Sequence, residues 1–181
     1  MYENQKDKSI QRLTIKMDRG YIYLNKNNYL HNIEVLKNLS RKELCLVVKA
    51  NAYGHGLEWA VKNAKESGVK WFAVASVGEG IQVKTIYGES RVLLLAEPSK
   101  NQLENVKVND IDLTVYNESF IDTLIKTGDE YSVHLKIDTG MHRLGCPPEK
   151  FHDLYKKIVD SNLNLIGICT HFPLADTDET E

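Results

Sequence analysis

The feature that most constrains the fold is the alternation of short apolar runs with segments of helical periodicity. Six runs of aliphatic and β-branched residues predict strands at 44–49, 71–75, 91–96, 112–115, 132–137 and 165–170. Continuous apolar runs of this length are typical of strands that are buried on both faces of a parallel sheet. The order β-α-β-α therefore favours an α/β barrel or a doubly wound α/β fold.

Helices are predicted between these strands from apolar residues that recur at spacings of three and four. One such set precedes the first strand and another follows it, and each set falls on a single helix face. The two sets are Tyr29, Ile33, Leu36 and Leu39, and Leu57, Ala60, Val61 and Ala64. Later helices are predicted at 78–86, 100–105, 117–127 and 148–160. A short additional strand is predicted at 20–24, and residues 1–16 are expected to be disordered or tag-like.

The number of predicted strands is too small for a closed barrel. A (β/α)8 TIM barrel needs eight strands and about 250 residues, whereas this chain of 181 residues has six strands of that type. We therefore expect residues 17–181 to form the N-terminal part of an incomplete TIM-type barrel. An open sheet exposes two strand edges, so we expect the isolated chain to be poorly soluble or to depend on a completing partner.

Composition excludes several classes of partner. The 23 basic and 25 acidic residues nearly balance, which offers no basic surface for nucleic acid or an anionic membrane. No apolar stretch approaches the roughly 20 residues of a membrane span, and the polar N-terminal residues lack the apolar centre of a signal peptide. A small-molecule partner and a cytoplasmic location are expected. The cysteines and histidines have no disulfide or metal-ligand spacing, so no metal site is expected.

The first segment that carries chemistry lies at the end of the first predicted strand. Residues 47–56 read Val-Val-Lys-Ala-Asn-Ala-Tyr-Gly-His-Gly, which places Lys49 at the carboxyl end of the strand. In α/β sheets and barrels that end carries the reactive groups, and an amine there can act as a nucleophile that forms imines. A lysine that closes a strand can equally be a solvated cap. Gly54 and Gly56 permit a tight turn beside it.

Two later segments also end strands in polar loops. Residues 136–145 read Lys-Ile-Asp-Thr-Gly-Met-His-Arg-Leu-Gly, and residues 167–172 read Gly-Ile-Cys-Thr-His-Phe. Asp138 and Arg143 could be a surface ion pair or turn residues. An arginine at the mouth of a barrel is also the natural partner of a carboxylate, because its planar fork holds both oxygens. His171 could be a structural residue or a ligand.

These three segments resemble those of the alanine racemase family, whose members use pyridoxal 5'-phosphate (PLP) on a barrel fold. The segment around Lys49 is similar to the family's cofactor-lysine segment, and residues 136–145 are similar to its second signature. The resemblance extends from residue 17 to the end of the chain, which corresponds to about the first half of a family member. The C-terminal β-domain of the family is therefore expected to be absent.

The resemblance implies roles for six residues. Lys49 would hold PLP and move the substrate's Cα proton, Tyr53 would help to bind the phosphate, and His171 would lie near the pyridine ring. Leu95 would line the cofactor pocket. Arg143 would lie near the substrate carboxylate and the cofactor oxygen, and Lys136 matches a lysine that can be carbamylated to orient that arginine. His142 stands where many relatives have glycine.

The implied function is racemisation of alanine to supply D-alanine for peptidoglycan. In the family, a tyrosine from the C-terminal domain acts as the second acid/base across a homodimer interface, and an arginine contacts the pyridine nitrogen, and neither has a counterpart in this chain. A serine racemase of the vancomycin-resistance type, a non-enzymatic PLP-binding protein and an inactive truncated racemase are alternatives. Arg143 argues against the non-enzymatic protein, and the turn at 52–56 argues against a decarboxylase of the same fold type.

Overall fold

The structure is a computed structural model that describes residues 22–174 together with the backbone of residues 10 and 11. The strands in chain order are β1 (Ile10–Gln11), β2 (Leu24–Asn25), β3 (Cys45–Val47), β4 (Trp71–Val74), β5 (Arg91–Leu94), β6 (Ile111–Val115), β7 (Ser132–Lys136) and β8 (Asn164–Cys169). The helices are α1 (Lys26–Ser40), α2 (Lys49–Tyr53), α3 (Leu57–Glu66), α4 (Val77–Ile86), α5 (Leu103–Val108), α6 (Glu118–Thr127) and α7 (Phe151–Val159). Short 3-10 turns at Lys100–Gln102 and Pro148–Lys150 precede α5 and α7.

Strands β3 to β8 form one six-stranded parallel sheet in the order of the chain. Each strand pairs with the next one, and helices α3 to α7 lie in the connections between them. This arrangement confirms the six predicted strands and the predicted incomplete α/β barrel. Among the described residues, β3 and β8 each have a neighbouring strand on one side only.

The N-terminal predictions fall largely outside the described residues. Within 1–16 only residues 10 and 11 are described, and they pair as β1 with β2 in antiparallel fashion. The strand predicted at 20–24 is described from residue 22 onward, where β2 begins at Leu24. None of the helices in the described part of the chain is long and apolar enough to cross a membrane.

Polar side chains fix the starts of three helices. Asn25 accepts the N–H of Asn28 at the start of α1, and Asn117 accepts the N–H of Phe120 at the start of α6. A side-chain oxygen in this position satisfies a backbone donor that has no partner within the helix. At α4, Ser76 and Glu79 form a reciprocal capping box. The helices predicted at 78–86 and 117–127 begin within one residue of α4 and α6.

The sheet has one face covered by helices and one facing the barrel interior. Val92 and Ile111 lie on the covered face, since their side chains reach Gly80 of α4. Alternation along the strands therefore turns Arg91, Asp112 and His134 to the interior face. The fully buried side chains of the covered face include Phe72, Val74, Val92, Leu94, Leu113, Val115, Val133 and Leu135. These side chains form the apolar core beneath the sheet.

The apolar face predicted for α1 is only partly buried. Ile33 is buried, and Tyr29 packs on Trp59 of α3 with 5.0 Å between the ring centroids. Leu36 and Leu39 remain 51% and 75% exposed, so only part of the predicted face is buried. All four residues of the set on α3 are buried.

Candidate active site

The sequence-predicted site residues lie at the carboxyl ends of the parallel strands. Lys49 follows β3 by two residues, Leu95 directly follows β5, and Lys136 is the last residue of β7. His171 follows β8 by two residues, and Arg143 lies in the loop after β7. Ligands of parallel α/β sheets bind at this edge, because the loops that follow the strands meet there. The structure therefore places all of these residues on one rim.

The chain enters a left-handed turn directly after Lys49. The N–H of Val48 donates to Ala73 at 2.9 Å, which keeps the chain paired with β4 up to the residue before Lys49. Ala50, Asn51 and Ala52 then have φ of 52 to 54° and ψ of 46 to 49°, and Tyr53 has φ of 52°. This conformation costs non-glycine residues about 1–2 kcal/mol each. The turn must consequently be held by contacts from outside it.

Besides its own backbone hydrogen bonds, three hydrogen bonds that involve side chains hold the turn. The N–H of Ala50 donates to the Glu79 carboxylate at 2.6 Å, and the N–H of Leu57 donates to the Asn51 side chain at 2.7 Å. His55 Nδ1 lies 2.9 Å from the Ala52 carbonyl oxygen, which accepts its proton. The role assigned to His55 is therefore local, in agreement with the sequence-based interpretation. Gly54 and Gly56 complete the turn with φ of 87° and 93°.

Lys49 and Tyr53 are the two predicted site residues that the turn brings together. Lys49 Nζ lies 5.9 Å from the centroid of the Tyr53 ring. The Tyr53 side chain is 61% exposed, so its hydroxyl is accessible from solvent. Lys49 forms no ion pair with any residue that the structure describes. The described neighbour of this amine is therefore the Tyr53 ring.

The loop that carries Arg143 is closed by backbone hydrogen bonds. The N–H of Asp138 donates to Cys146 at 2.9 Å, and the N–H of Cys146 donates to Lys136 at 2.8 Å. Gly145 has φ of 139°, and a Cβ there would lie 2.4 Å from the nitrogen of Asp138. Such a close approach of two backbone segments requires glycine. The loop that carries Arg143 therefore leaves β7 and returns to its end within a few residues.

Asp138 organises this loop from within. Its carboxylate accepts the N–H groups of His142 and Gly140, each at 3.0 Å, and these bonds hold the pKa of Asp138 below its usual range. His142 has φ of 52°, a conformation that glycine adopts without strain. This explains in physical terms why glycine suits that position. Arg143 is exposed and forms no ion pair with any described residue, so Asp138 is a turn residue and not its partner.

Lys136 is buried next to Cys169. The β7–β8 register pairs the two residues, and Lys136 is only 8% exposed. Burial raises the pKa of the Cys169 thiol, and the positive charge of Lys136 opposes that increase. No described carboxylate forms an ion pair with Lys136. A buried amine without an anionic partner is costly in its charged form.

Leu95 and His171 share the rim but contact neither Lys49 nor Arg143 through any described hydrogen bond, ion pair or ring contact. Leu95 is half-buried and its N–H donates to Val74 at 2.9 Å. The loop that precedes His171 is joined to the Arg143 loop, because the hydroxyls of Thr139 and Thr170 lie 2.7 Å apart. The roles of these residues therefore remain predictions.

A charged cluster inside the barrel was not predicted. Arg91 donates to Asp112 at 2.9 Å, and Asp112 lies 4.0 Å from His134 Nε2. The Arg91 guanidinium lies 4.7 Å from the ring centroid of Trp71, and the rings of Trp71 and His134 are 5.5 Å apart. The sequence signal for this cluster is the presence of polar residues at alternate positions of otherwise apolar strands.

Glu79 is a second residue of the site that the sequence analysis missed. It follows Ser76 by three residues, which is the spacing of a capping box.

Comparison with known proteins agrees with the fold. Residues 24–181 match the protein family described as alanine racemase, N-terminal domain. An amino-acid racemase of Enterococcus faecalis is 35% identical over 168 residues, which cover 92% of this chain and 24% of that protein. An alanine racemase of Treponema denticola is 37% identical over 161 residues, which cover 84% of this chain and 42% of that protein.

Solved structures show the same architecture. The alanine racemase of Clostridium difficile 630 superposes with a TM-score of 0.77 and 31% sequence identity, over 86% of this chain and 43% of that chain. The fold is that of an α/β-barrel protein. The chain belongs to the alanine racemase family, in the region of its N-terminal domain. It spans less than half the length of each of these three relatives.

Proposed function

We propose that this chain is the N-terminal portion of a PLP-dependent racemase that interconverts L-alanine and D-alanine for peptidoglycan synthesis. The observation that carries the proposal is Lys49, an amine without an ion pair at the carboxyl end of β3, with the ring of Tyr53 5.9 Å from its Nζ. The names of the relatives support a racemase. The whole protein is proposed to act as a homodimer in the cytoplasm, where free amino acids are available.

The rim residues fit PLP. Lys49 offers an amine for covalent attachment, and Tyr53, which is exposed and has its ring 5.9 Å from Lys49 Nζ, is proposed to donate a hydrogen bond to the phosphate. Leu95 and His171 are proposed to contact the cofactor ring. When bound, PLP supplies a conjugated ring that accepts electron density as the Cα proton of an amino acid leaves.

The side chains of this protein would bind the substrate and move its proton. The exposed Arg143 guanidinium has no ion pair among the described residues, so it is available to hold the substrate carboxylate through two hydrogen bonds. The Lys49 amine, once free, takes or returns the Cα proton on one face. Inversion requires a second acid/base on the opposite face. We propose that the tyrosine of a C-terminal domain, contributed by the second protomer, fills that role.

Lys136 is proposed to be carbamylated. The ammonium group would first lose one proton to solvent, and the neutral amine would then attack carbon dioxide, forming an N–C bond as one C=O π bond becomes a C–O⁻ group. Loss of a second proton from the nitrogen completes the conversion of the cationic side chain into an anionic carbamate. The burial of Lys136 without an ion pair among the described residues supports this step, because the reaction removes an uncompensated positive charge. The carbamate oxygens would then accept hydrogen bonds from Arg143 and orient it.

Serine racemisation is the alternative within the same class, since the two substrates differ by one hydroxyl group. A PLP-binding fragment without turnover is the second candidate. The observation that favours it is that the described sheet has six strands, with no further strand beside β3 or β8. The unpaired Arg143 argues against a protein that only stores the cofactor, because storage requires no carboxylate clamp.

The test is the absorbance spectrum of the purified chain with added PLP. We expect a band of lysine-bound cofactor in the wild type and in Lys70→Ala, which removes an exposed lysine before β4 at the opposite end of the sheet. The band should be absent in Lys49→Ala. Conversion of L-alanine and L-serine is then measured in the same samples. A band with turnover identifies the racemase and its substrate, a band without turnover identifies the second candidate, and no band contradicts both.

A further inference from the structure

Glu79 receives hydrogen bonds from two separate segments of the chain. Its Oε2 atom accepts the N–H groups of Ala75 and Ser76 at 3.0 and 3.2 Å, which is the capping box of α4. Its Oε1 atom accepts the N–H of Ala50 at 2.6 Å, from a residue 29 positions earlier in the chain. The bond to Ala50 is the shortest of the three. The cap of α4 uses only Oε2, whereas Oε1 accepts the hydrogen bond from Ala50.

Oε1 of Glu79 binds the residue that follows Lys49 through a hydrogen bond. Ala50 is the first of the four consecutive left-handed residues, and its N–H donates to Glu79. A hydrogen bond to a charged carboxylate is stronger than one between neutral groups. The other two side-chain hydrogen bonds of the turn, Leu57 to Asn51 and His55 to Ala52, involve only residues that follow Ala50. Glu79 therefore anchors the start of the turn and Asn51 anchors its end.

We propose that Glu79 is a positioning residue for Lys49. Its carboxylate fixes the left-handed turn to the start of α4, and the turn sets the direction in which the lysine side chain leaves the sheet. This inference rests on the proposed function, because the lysine it positions is the one proposed to carry PLP. A rigid amine at the rim meets the cofactor in one orientation, whereas a loose turn would present it in many.

The variants separate this role from ordinary helix capping. Glu79→Ala removes both oxygens, and Glu79→Gln keeps one accepting oxygen. Ser76→Ala is the matched control, because it removes the hydroxyl that accepts the Glu79 N–H at 3.3 Å and leaves the bond between Glu79 and Ala50 in place. Both Glu79→Ala and Ser76→Ala weaken the cap of α4. Only the Glu79 variants release Ala50.

The first readout is amide hydrogen exchange of the full chain without cofactor. We expect the amide of Ala50 to exchange at least ~10-fold faster in Glu79→Ala than in the wild type. Glu79→Gln should lie between the two, and Ser76→Ala should leave the Ala50 amide unchanged while the first turn of α4 exchanges faster. Equal exchange of the Ala50 amide in Glu79→Ala and Ser76→Ala would overturn the proposal, since Glu79 would then act only as a cap.

The second readout is the rate at which added PLP becomes attached to Lys49. We expect Glu79→Ala to slow attachment about 10-fold, Glu79→Gln to slow it less, and Ser76→Ala to leave it unchanged. An unchanged rate in Glu79→Ala would contradict the positioning role. Failure of the wild type to bind PLP would instead contradict the proposed function, and hydrogen exchange at Ala50 would still decide whether Glu79 holds the turn.

Discussion

Gly167 lies against His134 so closely that no side chain fits between them. The two residues are paired across β7 and β8, and a Cβ at residue 167 would lie 2.5 Å from Nδ1 and 2.7 Å from Cε1 of the imidazole. Gly167 is outside the left-handed region of backbone conformation, so the restriction comes from the imidazole alone. The missing side chain is what allows a buried histidine to fit on the interior face of the sheet.

Gly167→Ala should therefore destabilise the chain by overpacking. We expect the free energy of unfolding in urea to fall by about 1–3 kcal/mol. The same substitution in a His134→Ala background should have a much smaller effect, because the imidazole that it meets is gone. Gly78→Ala is the control, since a Cβ there meets nothing within 4 Å. An equal loss in both backgrounds would show that another contact is responsible.

The stability of the chain should depend on pH through His134. Burial, and to a lesser extent the charge of Arg91, lowers the pKa of His134 to about 4. In the unfolded chain a histidine has a pKa near ~6.5. Between these two values the unfolded chain binds a proton that the folded chain does not, so stability falls as the pH decreases from about 7 to about 4. Asp112 and Trp71 face the same imidazole.

His134→Gln should remove this dependence while the other five histidines remain. We expect the melting temperature of the wild type to decrease more between pH 7.5 and pH 5 than that of the variant. Thermal unfolding monitored by circular dichroism at several pH values measures both slopes. Parallel slopes in the two proteins would show that His134 does not titrate as proposed.

Asp138 should control the order of the loop that carries Arg143. Hydrogen bonds from the N–H groups of His142 and then Gly140 hold its pKa below the usual value. A carboxyl with a lowered pKa stabilises the fold above the unfolded pKa, and this contribution is lost as the pH falls through the folded pKa. The amide signals of Gly140 and His142 should accordingly titrate together below about pH 4.

Substitution tests the same point at neutral pH. Asp138→Ala should increase hydrogen exchange across 138–146, and Asp138→Asn, which keeps one accepting oxygen, should increase it less. Asp153→Ala removes an exposed carboxylate from α7 and should have no effect on this loop. Equal rates of hydrogen exchange across 138–146 in Asp138→Ala and Asp153→Ala would mean that the Asp138 carboxylate does not hold this loop.

Two glycines in this loop should differ in their tolerance of alanine. Gly145 and Gly140 both have positive φ, 139° and 123°. A Cβ at 145 would lie 2.4 Å from Asp138 N and 2.7 Å from Ile137 C, whereas one at 140 would lie 3.5 Å from the ring of Pro173. We expect Gly145→Ala to lower the free energy of unfolding by more than about 3 kcal/mol and Gly140→Ala by about 1 kcal/mol. Chemical denaturation of both variants measures the difference.

The open strand edges should make the isolated chain self-associate. Ile168 on β8 is 53% exposed beside an edge that has no neighbouring strand among the described residues. Sedimentation velocity should show oligomers that decrease in Ile168→Lys, because a charge on an edge strand opposes strand pairing. Leu39→Lys is the control, since Leu39 is similarly apolar and 75% exposed but lies on α1. A wild-type monomer with one cooperative unfolding transition would contradict this prediction.

The strands could be predicted from sequence because each one is an apolar run, and in β4 to β7 the covered face of that run is buried. Phe72 and Val74, for example, lie on a strand whose predicted and observed limits differ by one residue. The degree of burial of α1 could not be predicted in the same way, because periodicity identifies a helix face without showing what covers it. Leu39 has the spacing of that face and is 75% exposed.

The candidate site was predictable where neighbours in sequence are neighbours in space. Lys49 and Tyr53 belong to one ten-residue segment, so their proximity follows from the turn. The left-handed conformation of Ala50 was not predictable, because alanine favours right-handed helices. That conformation depends on Glu79, which is distant in sequence, and no local pattern around Lys49 points to it.

The positive φ values of the left-handed turn also determine which enantiomer of an amino acid fits it with less strain. Mirror-image amino acids prefer positive φ for the same steric reason that L-residues avoid it. A chain made by chemical ligation with D-alanine at position 52, where φ is 53°, would relieve strain at that residue without changing its composition. The segment next to the candidate lysine is therefore a place where the protein itself would be better built from the opposite enantiomer.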